Sequence, residues 1–371
     1  TVLKSRDRAT TAEFTLARSQ AGTREPGGQE EGYRGRFRLN RQWASGWSVE
    51  FQAVNASHTF DPNDMGYLSR ADEQRTYLSV DRRWDQSFGI FRNPEWQVEA
   101  SVARDQAGHV FQRYVGAYAR TDFTNFFSTW INGGMDLPAD DDRELRTFED
   151  PVKKYLRTQR IPSLNLGFDT PGNRPWYLRL GVSRAWYEGG PTTDASLYQS
   201  IKLNSAIEVQ LNTTTTRAEG ERKFVSPPDD TPDDAPPLTG LRRLGEFDQT
   251  LRVSYALSPT FSVQFFSQWL DASWVFRDLK RYVDDRTLAP GLPEGMADPQ
   301  EAYSNRVWNL NLITRWEFRP GSAFFLVCTH GAGTDALASD RGSLSPRSDL
   351  GILRHLPSDD AVQMKLSWMF R

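Results

Sequence analysis

The stretch Arg306-Val-Trp-Asn-Leu-Asn-Leu-Ile-Thr-Arg-Trp-Glu-Phe-Arg319 decides the fold. Trp308, Leu310, Leu312, Thr314, Trp316 and Phe318 fall on one face, and Asn309, Asn311, Arg315 and Glu317 on the other. A period of two is the mark of a half-buried strand, and helical spacing fits none of it. The same alternation returns at the end, with Val362, Met364, Leu366, Trp368 and Phe370 against Gln363, Lys365 and Ser367. It recurs in Ile207, Val209 and Leu211 against Glu208, Gln210 and Asn212, and in Tyr33, Phe37 and Leu39 against Arg34, Arg36, Arg38 and Asn40. Only the acidic stretch Asp140–Arg157 could hold a short helix, and Pro151 interrupts it.

Extending that period along the chain predicts about sixteen strands. They run over roughly 9–21, 32–43, 46–58, 73–84, 87–104, 107–120, 123–133, 158–169, 175–188, 195–203, 205–223, 244–257, 260–275, 304–319, 322–333 and 360–371. The connections alternate in length. Tight turns are expected at 44–46, 85–86, 121–122, 171–174, 204, 258–259 and 320–321, and long links at 22–31, 59–72, 134–157, 224–243, 276–303 and 334–359. Short turns at one end and long loops at the other describe an all-β, transmembrane antiparallel up-and-down β-barrel, with periplasmic turns and extracellular loops. A soluble sandwich or propeller has no reason to sort loop length by strand parity. The expected organisation is a single barrel domain over residues 1–371.

Aromatic placement points the same way. Trp43, Trp47, Trp84, Trp176, Trp316, Trp368 and Phe370 lie near the short-turn ends, and Trp130, Trp186, Trp269, Trp274 and Trp308 nearer the long-loop ends. Two belts of amphipathic rings at the two headgroup levels produce such a pattern.

Composition agrees. Of 371 residues only 38% are hydrophobic, yet 12 are Trp, too aromatic for a disordered chain. Mean hydropathy is −0.63, and no apolar run approaches the about 20 residues that a membrane helix needs. Forty-five basic and 48 acidic residues leave a net charge of −3, with no global field for nucleic acid. Cys328 is the single cysteine, so no internal disulfide or Cys-rich metal site is expected. The chain begins at Thr1, as expected of a mature or trimmed piece.

Three stretches carry a family resemblance: Phe60-Asp-Pro-Asn-Asp-Met-Gly-Tyr-Leu-Ser-Arg70, Asn311-Leu-Ile-Thr-Arg-Trp-Glu-Phe-Arg-Pro-Gly-Ser-Ala-Phe-Phe-Leu-Val327, and the ending Lys365-Leu-Ser-Trp-Met-Phe-Arg371. They resemble an uncharacterised bacterial outer-membrane β-barrel family, whose members commonly carry a carbohydrate-binding-like domain of the family-9 type before the barrel. The resemblance runs over most of the chain from about residue 30. It implies bacterial outer-membrane location and barrel fold far more than activity. The sequence lacks that domain and much of the barrel segment that usually precedes the Asp-Met-Gly motif. Either a shorter barrel closes with about sixteen strands, or this is the C-terminal part of a larger one. In the first case 360–371 is expected to pair with 9–21, because an open edge cannot face lipid.

A search for chemistry yields little. His58, His109, His330 and His355 fall near the long-loop ends in no metal-ligand spacing. Ser57, Ser343, Ser345 and Ser358 sit in no nucleophile elbow. The acidic clusters Asp140–Asp142, Asp229–Asp230 with Asp233–Asp234, and Asp284–Asp285 offer oxygens for Ca²⁺, as does the alternation Asp61, Asn63, Asp64, but solvated loops explain them better. No cofactor, metal site or enzyme activity is expected.

The inward faces carry the most information. With the apolar residues toward lipid, the lumen is expected to hold Arg34, Arg36, Arg38, Glu50, Asp81, Arg83, Glu99, Arg179, Glu208, Arg252, Asn309, Asn311, Arg315, Glu317 and Lys365. A barrel of about sixteen strands is wide enough for water unless plugged. The function expected is therefore a channel or transporter for small polar solutes. The alternative is a structural or assembly barrel that anchors a protein partner or periplasmic domain. Expected partners are outer-membrane lipid and lipopolysaccharide, with no nucleic acid. Strand 322–333 is apolar on both faces, which suggests that a loop or partner covers part of the wall.

Overall fold

The computed structural model describes residues 1–7, 9–22, 29–61, 70–145, 154–226, 235–292, 302–338 and 356–370. They contain twenty strands and no helix. The first ten are β1 (Val2–Lys4), β2 (Thr10–Gly22), β3 (Gln29–Gln42), β4 (Trp47–Ala56), β5 (Glu73–Arg83), β6 (Glu95–Arg104), β7 (Val110–Asp122), β8 (Ser128–Asp136), β9 (Asp140–Asp141) and β10 (Leu156–Arg157). The rest are β11 (Ile161–Asp169), β12 (Trp176–Tyr187), β13 (Gly190–Lys202), β14 (Ile207–Val225), β15 (Leu238–Ser258), β16 (Phe261–Asp284), β17 (Thr287–Pro290), β18 (Ala302–Arg319), β19 (Ser322–Ala338) and β20 (Ser358–Ser367). Setting aside the short β1, β9, β10 and β17 leaves sixteen long strands, joined antiparallel to their chain neighbours wherever the register is defined. This is the all-β, up-and-down fold class of the outer-membrane β-barrels.

The described residues divide into two compact units. One is Thr1–Thr124 with Trp130–Leu164 and Val283–Leu288; the other is Asn125–Thr129 with Asn165–Tyr282 and Ala289–Arg371.

In the first unit the ladder runs β2–β3–β4–β5–β6–β7. Tyr114 explains two of its glycines. A Cβ on Gly116 would stand 2.3 Å from the Tyr114 hydroxyl, and one on Gly134 2.6 Å from it, so only bare backbone leaves room for the ring. The ends of the stretch Asp140–Arg157 pair as the ribbon β9–β10, and residues 146–153 lie outside the described residues. The expected turn at 85–86 is longer. Residues 84–94 form a compact connection with Gly89 and Asn93 at positive φ and Phe88, Phe91 and Phe123 clustered, with ring centroids 5.5 and 5.9 Å apart. Pro94 has no N–H to offer a ladder, so β6 starts at Glu95 rather than 87.

In the second unit β14, β15 and β16 run on past the expected strand ends, where long loops were predicted. Val225 and Leu238 are buried there, with Phe276, Leu279 and Leu292 packed against them, so the extension has its own small core. A bulge between Ala218 and Glu221 marks where it begins.

In the second unit β20 pairs with β19. On β2, one edge is taken by β3, and the other is met at Thr11–Glu13 by the chain's own Val2–Lys4 folding back as β1. The local hairpin forms because Val2–Lys4 is adjacent in sequence and needs little loop-closure entropy.

Candidate functional site

Register sorts the side chains of each unit into two faces. On the first unit's apolar face stand Phe14, Leu16, Phe37, Leu39, Leu78, Val98 and Val115, all exposed. On the second unit's stand Leu180, Val182, Leu312, Val362, Met364 and Leu366, with Val182 49% and Leu366 62% exposed. Apolar side chains exposed in continuous rows belong against lipid rather than water.

Trp residues edge these rows. In the first unit Trp47 meets Trp96 edge-on at 5.3 Å, and the Arg82 guanidinium lies 5.5 Å from Trp47 and 4.9 Å from Trp84. Arg41 similarly lies 5.1 Å from Trp43. In the second unit Trp316, Phe318 and Trp368 form a chain with centroids 5.8 and 5.5 Å apart at the short-turn end, where Trp176 and Phe370 are also exposed. At the other end Trp269 stands directly across from Trp308, and Trp186 faces Pro191. Trp130 departs from its expected place. Because β8 begins at Ser128 rather than 123, Trp130 lies at the short-turn end, in step with Gly134 and thus on the polar side. One polar pair interrupts the apolar face: His330 Nδ1 and Asp360 Oδ1 lie 2.8 Å apart, next to Trp308.

The opposite face carries the charges. In the first unit Arg36 pairs with Glu13 and Arg38 with Glu50, each at 2.6 Å. Tyr77 donates to Glu99 at 2.8 Å, and Ser79 to Asp81 at 3.1 Å. Arg34 shares this face, and its Nε is buried without a hydrogen-bond partner. Arg83 reaches Asp85 at 3.9 Å. In the second unit Arg179 Nε donates to Asp169 at 2.7 Å, Glu208 accepts from Ser200 and Gln210, and Arg315 pairs with Glu317 at 2.6 Å. A transverse row reads Arg179, Tyr198, Asn212, Thr250, Gln268 and Asn309. The next reads Tyr177, Ser200, Gln210, Arg252, Phe266 and Asn311. Lys365 stands across from Phe325 on the same face. The structure thus puts every lumen candidate on its unit's polar face. Tyr177 and Tyr198 belong there too.

A third feature lies in the long loops of the first unit. Asp105 is buried and accepts from the Tyr155 hydroxyl at 2.6 Å and the His109 amide at 2.9 Å, while the His109 ring stacks on Tyr155 at 4.0 Å. Burial, then the Asp105 hydrogen bond, raises the Tyr155 pKa. Arg70 grips Asp142 through both carboxylate oxygens, and Arg286 and Arg157 grip Asp140. Burial alone would raise the Asp140 pKa, but these guanidiniums outweigh it and hold the carboxyl below its usual range. Asp140 and Asp142, candidates for Ca²⁺, thus have guanidinium neighbours. Asn63, Asp64, Asp229, Asp230, Asp233, Asp234, Ser343, Ser345 and His355 lie outside the described residues.

Two-faced strands with Trp at their ends are the surface of an outer-membrane β-barrel. The sequence model of a domain of unknown function, DUF5916, matches residues 1–339. The chain belongs to the DUF5916 family. No curated protein matches it. Among solved structures it is similar to the siderophore receptor PirA from Acinetobacter baumannii, with TM-score 0.43 and 8% identity over 98% of this chain and 69% of that one. It is also similar to the ferric enterobactin receptor PfeA from Pseudomonas aeruginosa, with TM-score 0.42 and 12% identity over 96% of this chain and 67% of that one. A third is OmpT, an outer membrane protein of Vibrio cholerae, with TM-score 0.25 and 10% identity over 90% of each chain. This member of the DUF5916 family spans about two thirds of the length of the two receptors.

Proposed function

We propose that the polar face lines a hydrated lumen and that the protein passes small polar solutes across the outer membrane. The rows Arg179–Asn309 and Tyr177–Asn311 carry the reading: charged, amide and hydroxyl groups stand side by side on a face that must be solvated by water or protein. About sixteen strands enclose enough space for water. The apolar face meets lipid and, in the outer leaflet, lipopolysaccharide. No catalytic step is assigned to any residue. A second reading, a barrel that holds a protein partner and conducts little, is favoured by Ile313, Phe325 and Val327, which stand on the polar face of β18 and β19. Planar-bilayer recording separates the two. Discrete, stable conductance steps support the channel; silence, with a polypeptide co-purifying from the membrane, supports the partner barrel.

A further inference from the structure

Arginines on the polar faces differ in whether they meet a carboxylate. In the first, Arg36 and Arg38 each meet a carboxylate across the sheet. In the second, Arg179 has Asp169, but Arg252 has no carboxylate among the described residues. Its cross-strand neighbours are Gln210 and Phe266, whose ring centroid lies 5.7 Å from the guanidinium carbon.

Arg252 opens on a concavity of about 510 Å³ over β12–β15, lined also by Tyr177, Tyr198, Ser196, Asn212 and Thr250. That volume falls in the roughly 300–1,000 Å³ range of small-molecule sites. Gly181 stands across from Ser196: a Cβ there would lie 2.8 Å from Ser196 Oγ. Tyr177 and Tyr198 meet edge-to-face at 6.0 Å, which leaves a ring face available for a flat, C–H-bearing ligand surface. Ser196, Asn212 and Thr250 have no side-chain hydrogen bond among the described residues, so the concavity presents unused donors and acceptors beside an uncompensated cation.

We propose that this concavity binds a monoanionic, hydroxyl-rich solute of sugar-acid size, its carboxylate on Arg252 and its hydroxyls on Asn212, Thr250 and Ser196. A guanidinium matches a carboxylate bidentately, and hydroxyls complete the amide and hydroxyl partners. The site names the solute class of the proposed channel and rests on that reading for its transport role.

Isothermal titration calorimetry of the full chain in detergent micelles tests it, with glucuronate, glucose and acetate as probes and heat-modifiable gel migration as the check that each variant is folded. Glucuronate should bind at least tenfold more tightly than glucose or acetate. Arg252→Gln should weaken it at least tenfold, and Arg252→Lys less. Gly181→Val, which crowds Ser196 and leaves the charge, should weaken it as much as Arg252→Gln. Arg217→Gln, the same charge change on an exposed residue outside the concavity, should leave binding unchanged. Equal affinity for glucuronate and acetate, or indifference to both Arg252→Gln and Gly181→Val, overturns the site. Binding without conductance overturns the channel and upholds the site; conductance without glucuronate heat does the reverse.

Discussion

Tyr155 donates its hydroxyl to the Asp105 carboxylate at 2.6 Å, fixing the long loop before β11 to the turn between β6 and β7. The bond is buried and charge-assisted, and the neutral phenol is the form that makes it. A raised folded-state pKa means that this stabilisation is complete below the ordinary tyrosine value of 10.0 and is lost only as pH rises through the higher folded value. Tyr155→Phe should loosen the loop by about 1–3 kcal/mol, read as faster amide exchange over 154–158 with no change at mid-strand. Unchanged exchange would show that the bond does not hold the loop.

The acid counterpart is Asp140. Its pKa is depressed, so the grip of Arg286 and Arg157 is complete above the usual 3.8 and fails as pH falls through the folded value. Hydrogen exchange over 283–288 should accelerate below that value, and Arg286→Gln should bring the acceleration on at higher pH. A pH-independent segment would refute the link.

The face assignment is testable on neighbours. Leu312 is 41% exposed on the apolar face between Phe265 and Cys328, and Asn311 points the other way, between Phe266 and Thr329. Leu312→Arg should cost about 2–4 kcal/mol of folding into lipid vesicles, and Asn311→Arg much less. Equal costs would mean that the face or the membrane assignment is wrong.

Tyr114 makes a prediction about glycine. Gly116→Val should force the ring off its seat and cost about 1–3 kcal/mol. Adding Tyr114→Ala should remove much of that penalty in a double-mutant cycle. Additive losses would show that the ring and the glycine are uncoupled.

The tip of the β12–β13 hairpin is tighter still. A Cβ on Gly220 would come within 2.0 Å of the Gly189 backbone, which cannot yield as a side chain can. Arg277 bridges the same place, donating to the carbonyls of Gly189 and Glu219 at 2.8 and 2.7 Å. Gly220→Ala should open the hairpin to protease, while Arg277→Lys, which keeps one donor group, should do so less.

Much was legible beforehand because alternation is local. The long strands carry a two-residue period, and which residues share a face follows from it because parity needs no knowledge of partners. The errors have physical reasons as well. Trp130 was misplaced because the strand starts five residues later than its alternation suggested. The extension of β14–β16 has no signal in the sequence, because Val225, Leu238 and Phe276 become a core only when three distant segments meet.

The strand period, the two faces and most of the aromatic ends can be read from the chain alone, because they are consequences of backbone geometry acting over a few residues. Which groups are neighbours is settled by the fold. It set Arg286 on Asp140, 146 residues away, folded Val2–Lys4 onto β2, and left Arg252 beside Phe266 while Arg179 found Asp169. Those outcomes depend on cross-strand register and loop paths, which composition and period do not encode. Whether a charge is paired or available is therefore a property of the assembled sheet.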